Sequence, residues 1–465
     1  MTLRERMAAA ASSEGGVIFT LGFIIGFPHY LYADLCWQLA EGRTLWAGTF
    51  PATLPGAFAA GTWIDHEWLF EWLAWPWWAH GLWPLAAALC AALVATVPLV
   101  AVAIARRCGA SAYVANAAGY LTIASAVTSY APRPQTVAEL CFALVLFVLL
   151  GTLQRPWLLL PLTILWANVH GSVVLAPLLV ALVAAGRAIE YGGVPPRRFL
   201  VAFGWALAGT FATPHGLATW SEAAAFASRG ELLATSDWQP VSFAYPIELF
   251  VLVLYGAVLV AGGVPVARRN AVALLLLAVF VPLWLLHARF LPFFGIAAVP
   301  ALAIALAGSG LERRRSRKPT TDVRTPWLAL PLLVALALTF ALRAPQSLAV
   351  EPEPAATAAL VERAHFTGRL FAPFTAGGYL QLRGDPVQVL LDTHAIPFGP
   401  DVWRDYRTIE DARAGWSEAL ARRALAGVVA SDDGALATAL KDAGGWRRAA
   451  RASGYSLYVR TKPTP

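Results

Sequence analysis

The residues most able to do chemistry lie just past the first apolar run. Asp34 stands in YADLCWQLAEGR, and Asp65, His66 and Glu67 form a tight polar triplet before an apolar-aromatic segment. A partly buried carboxylate can deprotonate or orient an acceptor hydroxyl or amine. Paired carboxylates also suit a divalent metal. Plainer roles are open to each of them. Asp34 could be a solvated acid or cap the DLCWQLAEG segment, and Asp65 could cap the helix that follows, with Glu67 favouring its positive end.

Cations and imidazoles recur at the opposite ends of later apolar runs. Arg133 stands in APRPQ, beside Gln135, and Arg289 in LLHARFLPFF. Either arginine could snorkel to lipid headgroups, yet a planar guanidinium also grips phosphate bidentately. His170 in WANVHG, His215 in TPHG, and His287 fall at similar positions. Each is a structural hydrogen-bonding residue, a proton carrier or a metal ligand. Asn168 either orients His170 or caps a helix, and Trp238 and Gln239 in SDWQPVSF could meet a substrate or simply pack. Cys36, Cys90, Cys108 and Cys141 have no metal-ligand spacing and read as small apolar fillers. No GxSxG and no phosphate-cradling glycine loop ending in GK[ST] occurs, and Gly377-Gly378 reads as a turn.

The elements that must position these groups are membrane spans. Of the 465 residues 58% are hydrophobic and 14% charged, against about 25% charged in a soluble domain. Apolar runs begin near 16 and recur to 343, giving about eleven helical spans. The loops alternate in character. One set holds Arg106-Arg107, Arg155, Arg187, Arg197-Arg198, Arg268-Arg269 and the cluster from Arg313 to Lys318. The other holds Asp34 to Glu67, Arg133, His170, the loop 214–245 and His287 to Arg289. Basic loops stay in the cytoplasm, so the N-terminus is expected there and the acidic and histidine-bearing loops outside. The net charge of +7 follows from this asymmetry, and nucleic-acid binding is disfavoured. HEWLFEWLAWPWWAH, over 66–80, has the tryptophan density of a helix lying in or dipping into the outer leaflet.

The expected organisation is a transmembrane domain over 1–344, with a first outer loop at 32–82, and an extracytoplasmic α/β domain over 345–465. Pro345, Pro352 and Pro354 mark the linker. Beyond it, GRLFAPF, VQVLLD, LAGVVAS and SLYVR read as strands, and DARAGWSEALARRAL and GALATALKDAG as helices.

DLCWQLAEGR, HEWLFEWL, RPQ at 133–135, WANVHGS, TPHG, DWQPVSF, HARFLPFF and GRLFAPFTAGGYL followed by VQVLLDTH run in order along the chain. In that order they resemble the polytopic GT-C superfamily of glycosyltransferases, and more narrowly a poorly characterised bacterial group within it. The resemblance implies a polyprenyl-phosphate sugar as donor and an extracytoplasmic glycan, lipid or protein as acceptor, in the plasma membrane of a bacterium. By it Asp34 becomes the leading base, with Glu67 and Asp65 as alternatives. Arg133 or Arg289 takes the donor phosphate, and His66, His170, His215, His287, Gln135 and Trp238 complete a substrate-binding set. Many such enzymes carry an adjacent acidic pair in this loop, whereas here Tyr32-Ala33 precede a single Asp34. No cofactor is fixed by the sequence, and a divalent metal is the one candidate the acids admit. Two rival readings are a transporter or flippase for a lipid-linked or anionic solute, and a non-catalytic accessory subunit. The first predicts ionisable residues at mid-membrane, whereas here they sit at span ends.

Overall fold

The computed structural model describes residues 14–27, 30–54, 56–127, 132–151, 153–193, 197–228, 238–242, 249–256, 270–307 and 349–461. The basic cluster from Arg313 to Lys318 and the apolar run 327–343 lie outside the described residues. The chain separates into two compact units, one of residues 1–28, 84–227 and 233–345, the other of 29–83, 228–232 and 346–465.

The first unit is helical. It holds α1 (Glu14–Gly26), α4 (Trp83–Arg107), α5 (Ala112–Ala126), α6 (Pro134–Leu149), α7 (Leu159–Val169), α8 (Leu175–Tyr191) and α9 (Arg197–Thr210). α10 (Ala218–Ser228), α11 (Ala271–Leu286), α12 (Leu291–Ala297) and α13 (Val299–Ala307) follow. Among the described residues, the segments Trp83–Arg107 and Gly171–Tyr191 are long and apolar enough to cross a bilayer singly. The pair Ala288–Ala297 and Val299–Leu306, bent by 51°, has the length and apolarity of one broken span or of a re-entrant loop. Shorter apolar helices, among them Glu14–Gly26, Pro134–Leu149 and Ala271–Leu286, accompany them. The protein is therefore a membrane protein with apolar spans. The unit closes around Phe142, Trp166, Phe280, Trp284 and Phe294, which are fully buried. Phe142 makes edge contacts with Trp166, Phe280 and Phe293, and Trp284 stacks on Phe294. Without a hydrophobic drive between helices in lipid, such close van der Waals packing supplies the association energy.

The second unit is built on α2 (Ala33–Trp46), α3 (Trp68–Ala79) and a mixed sheet. Its helices are α14 (Pro352–Arg363), α15 (Gly377–Arg383), α16 (Pro400–Glu410), α17 (Trp416–Arg422) and α18 (Ala435–Asp442). The strands β3 (Gly368–Phe371), β4 (Val387–Val389), β5 (Gly427–Ser431), β6 (Trp446–Ala452) and β7 (Tyr455–Arg460) lie in the order β4-β3-β5-β7-β6. β4, β3 and β5 run parallel, and β7 and β6 join antiparallel. A short parallel pair, β1 (Tyr30–Leu31) with β2 (Ala349–Val350), joins the starts of this unit's two long segments.

Residues 56–58 lie along the sheet edge beside β4, with an isolated bridge from Ala57 to Val389. Val389 donates its N–H to the Gly56 carbonyl, and Phe58 donates to the Val389 carbonyl. Two glycines let helices approach closely. A Cβ at Gly42 would collide with the Glu71 carbonyl, so α2 and α3 cross at that point. A Cβ at Gly378 would lie 3.0 Å from the Ala33 carbonyl, which sets α15 against α2. Gly377-Gly378 thus opens a helix and does not mark the turn expected of it.

Candidate functional site

α2 carries its acids and its amide on one face, with Arg43 on the opposite side. Asp34, Gln38 and Glu41 are spaced i, i+4 and i+7 and line up on that face. Asp34 lies half-buried in the first turn, and the N-cap is Tyr32, so the acid does not cap the helix as one reading of the sequence allowed. Seven residues along the helix place Glu41 about 10 Å from Asp34.

The buried end of this face is an acidic centre. Glu41 is 2% exposed, and Asp65 and Glu71 are 0% exposed. Their ligating oxygens all lie within 4.8 Å of one another. Donors hold the periphery. Gln38 donates its amide to Glu67 Oε2 at 2.7 Å, and the Trp63 indole donates to Glu41 Oε2 at 2.9 Å. The Glu67 backbone N–H donates to Asp65 Oδ1 at 3.0 Å. Glu67 is itself the N-cap of α3, with no side-chain capping bond, so Asp65 closes the preceding turn and leaves the cap to its neighbour. His66 Nε2 lies 3.7 Å from Glu67 Oε1.

The tail contributes an imidazole to the same centre, within the same unit. His394 Nε2 is 3.0 Å from Glu41 Oε1, and Nδ1 is 2.7 Å from Asp392 Oδ1. Its ring lies against Trp37, with centroids 4.1 Å apart, and meets the Trp63 edge at 5.1 Å. Burial disfavours the charged ring, but the Asp392 and Glu41 carboxylates outweigh it and hold His394 up at about 10. Its two carboxylate contacts thus favour a protonated, cationic His394. Asp65 and Glu71 are pushed well above the usual carboxylate range, first by burial and then by the negative charge of neighbouring carboxylates.

The helical unit holds the remaining candidates. Arg133 occupies the N-cap of α6 in extended backbone, with Pro134 at the first helical position. Gln135 donates to Glu139 Oε1 at 3.2 Å, one turn along the same helix, and Glu139 is buried. Trp238, His287 and Arg289 come together. The His287 Nδ1–H reaches the Trp238 carbonyl at 3.0 Å, and the Arg289 guanidinium lies 4.4 Å over the Trp238 ring. Main-chain bonds from Val241 to Leu285 and from Ala288 to Gln239 fasten this segment.

The other histidines have local partners. His170 Nδ1 sits 2.8 Å from Ser172 Oγ and accepts the Ser172 backbone N–H. Asn168 donates to the Ile164 and Ala212 carbonyls, which pins α7 to the turn after α9 and gives it a scaffold role. His215 lies in the turn before α10, its carbonyl accepting from Ala218.

Sequence reasoning missed Gln38, Glu41, Glu71, Asp392 and His394. The spacing of Asp34, Gln38 and Glu41 on one helical face was a usable signal, as was an acid inside the tryptophan run WLFEWLAW. Nothing in the sequence joins LLDTH to the first polar loop, 353 residues away.

No family model and no curated protein matches the chain. Solved structures match it in fold. The oligosaccharyltransferase of Archaeoglobus fulgidus, tethered to an acceptor peptide containing the NVT sequon, aligns with a TM-score of 0.58 at 12% identity, covering 90% of this chain and 69% of that one. The same archaeal enzyme, AglB, in complex with an inhibitory peptide and a dolichol-phosphate aligns at 0.57 and 12% identity, covering 96% and 74%. ArnT of Cupriavidus metallidurans bound to undecaprenyl phosphate aligns at 0.51 and 16% identity, covering 97% and 98%. The fold is thus similar to that of GT-C glycosyltransferases.

Proposed function

We propose that this protein is a membrane glycosyltransferase that moves a sugar from a polyprenyl-phosphate donor to an acceptor on the outer face of the plasma membrane. The observation that carries the reading is a GT-C-like fold spanning nearly the whole of this chain and nearly the whole of an ArnT crystallised with undecaprenyl phosphate. Asp34 serves as the base. It is half-buried at the start of α2, while Asp65 is sealed from solvent and Glu67 is engaged by Gln38. A base must reach an acceptor proton at hydrogen-bond distance, which favours the acid with open surface.

The donor's phosphate leaves carrying its negative charge, so it needs fixed cations and no nucleotide. Arg133 ends an extended segment at a helix N-terminus, where backbone N–H groups and the dipole also favour an anion. Arg289 is held over Trp238, which orients its guanidinium while the indole supplies an apolar wall. His287 fastens that wall through the Trp238 carbonyl. His66, His170, His215 and Gln135 take supporting roles as proton carriers or positioning groups. In the proposed topology about eleven spans place the N-terminus in the cytoplasm, with the loops bearing Asp34, Arg133 and Arg289 and the tail domain outside.

The test is a deletion strain complemented with the wild-type chain or with Asp34→Asn, its envelope glycoconjugates compared by mass spectrometry. The reading predicts that one glycan mass restored by the wild type is missing with the variant, at equal protein levels. Unchanged glycan profiles in the deletion strain itself would remove the reading.

A further inference from the structure

The acidic centre raises a question of charge balance that the transferase reading does not answer. Glu41, Asp65 and Glu71 converge from α2, from the turn before α3 and from α3, and all three are buried. Glu67 and Asp392 add two further carboxylates at the periphery, facing the imidazoles of His66 and His394. Ionised carboxylates cost several kcal/mol each to bury without compensation.

Glu71 is the pointer. Both of its carboxylate oxygens are buried, and among the described residues they accept no hydrogen bond from any donor group. Its neighbours are the carboxylates of Asp65, Glu41 and Glu67, and it can bond to Asp65 only by sharing a proton with it. A fully buried acid that faces only other acids needs either a proton or a cation between them, and three oxygens within 4.8 Å of one another leave the geometry of a cation site. Glu41 is meanwhile oriented by Trp63 and His394, and Asp65 by the Glu67 backbone, the kind of outer support that holds metal ligands in place.

We propose that Glu41, Asp65 and Glu71 bind one hard divalent cation, of the Mg²⁺, Mn²⁺ or Ca²⁺ class. An all-oxygen donor set selects that class over softer metals. The site is sealed and lies about two helical turns from Asp34, so its role is to fasten α2 to α3. It does not depend on the transferase reading.

The full-length protein, purified in nanodiscs and stripped with EDTA, would be titrated with Mn²⁺ and followed by electron paramagnetic resonance and elemental analysis. One tightly held Mn²⁺ per chain, competed by Mg²⁺ or Ca²⁺, and a rise in unfolding temperature on adding it, are expected. Glu71→Gln and Asp65→Asn should each weaken that binding by ~100-fold or more, in line with loss of a ligand. Wild-type protein that holds no Mn²⁺, Mg²⁺ or Ca²⁺ and melts identically with and without EDTA would overturn the proposal and leave shared protons as the balancing charge. So would unaltered Mn²⁺ binding in folded Glu71→Gln.

Discussion

Replacing His394 by glutamine removes the imidazole that links Asp392 to Glu41. The ring makes two charge-assisted contacts, at 3.0 and 2.7 Å, in a site where His394 itself is 3% exposed. Hydrogen bonds to charged groups contribute about 1.5–3 kcal/mol each, and a neutral amide returns about 1 kcal/mol of that. Breaking a buried pair from one side costs about 3–5 kcal/mol, because the remaining charge is stranded. The net expectation is a loss of about 3–4 kcal/mol in the metal-free protein, or about two to three orders of magnitude in local opening. Hydrogen exchange read by mass spectrometry should show this in peptides covering 33–46 and 387–398. Adding Asp392→Asn to His394→Gln should recover part of the loss, since it removes one stranded charge, and the two changes should be non-additive. A loss below about 1 kcal/mol, or protection that falls equally in the far strands β6 and β7, would refute a protonated, cationic His394.

Two further outcomes follow from local geometry. Gly42→Ala drives a methyl into the Glu71 carbonyl, which is rigid helical backbone, and should cost about 1–3 kcal/mol, measured as a lower unfolding temperature of the purified protein. Asp405 bridges Arg422 and Arg423 at 2.6 Å each, and these partners overcome the effect of burial to hold its carboxyl below the usual range. A depressed folded value gives stability that is present above the unfolded value near ~4 and lost as pH falls through the folded one. Exchange protection of α16 and α17 should therefore drop in acid, and Asp405→Asn should flatten that dependence.

Much of the architecture was legible because lipid imposes strong patterns. Unbroken apolar runs gave the helical membrane unit, and β-branched runs such as VQVLLD and LAGVVAS gave β4 and β5. WRRAARA was not legible as β6. Three arginines and four small or aromatic residues carry little strand propensity, and its pairing with β7 along the sheet edge decides the matter. The helix Pro352–Arg363 falls where Pro352 and Pro354 read as linker, and Pro400–Glu410 carries no apolar run that marks it; in both, proline suits the first helical turn. Of the candidate site, the local triplet Asp65, His66 and Glu67 and the grouping of His287 with Arg289 lay within reach of sequence proximity. The joining of Glu41 to His394 did not, because it is a tertiary contact between one acid of α2 and a loop beyond strand β4.

Native mass spectrometry with undecaprenyl phosphate tests the central claim most directly. The wild-type chain should carry one lipid-phosphate molecule that survives detergent removal, and Arg133→Ala combined with Arg289→Ala should lose it while remaining folded. A wild type that never retains the lipid, or a double variant that retains it equally, would contradict a polyprenyl-phosphate donor held by these arginines.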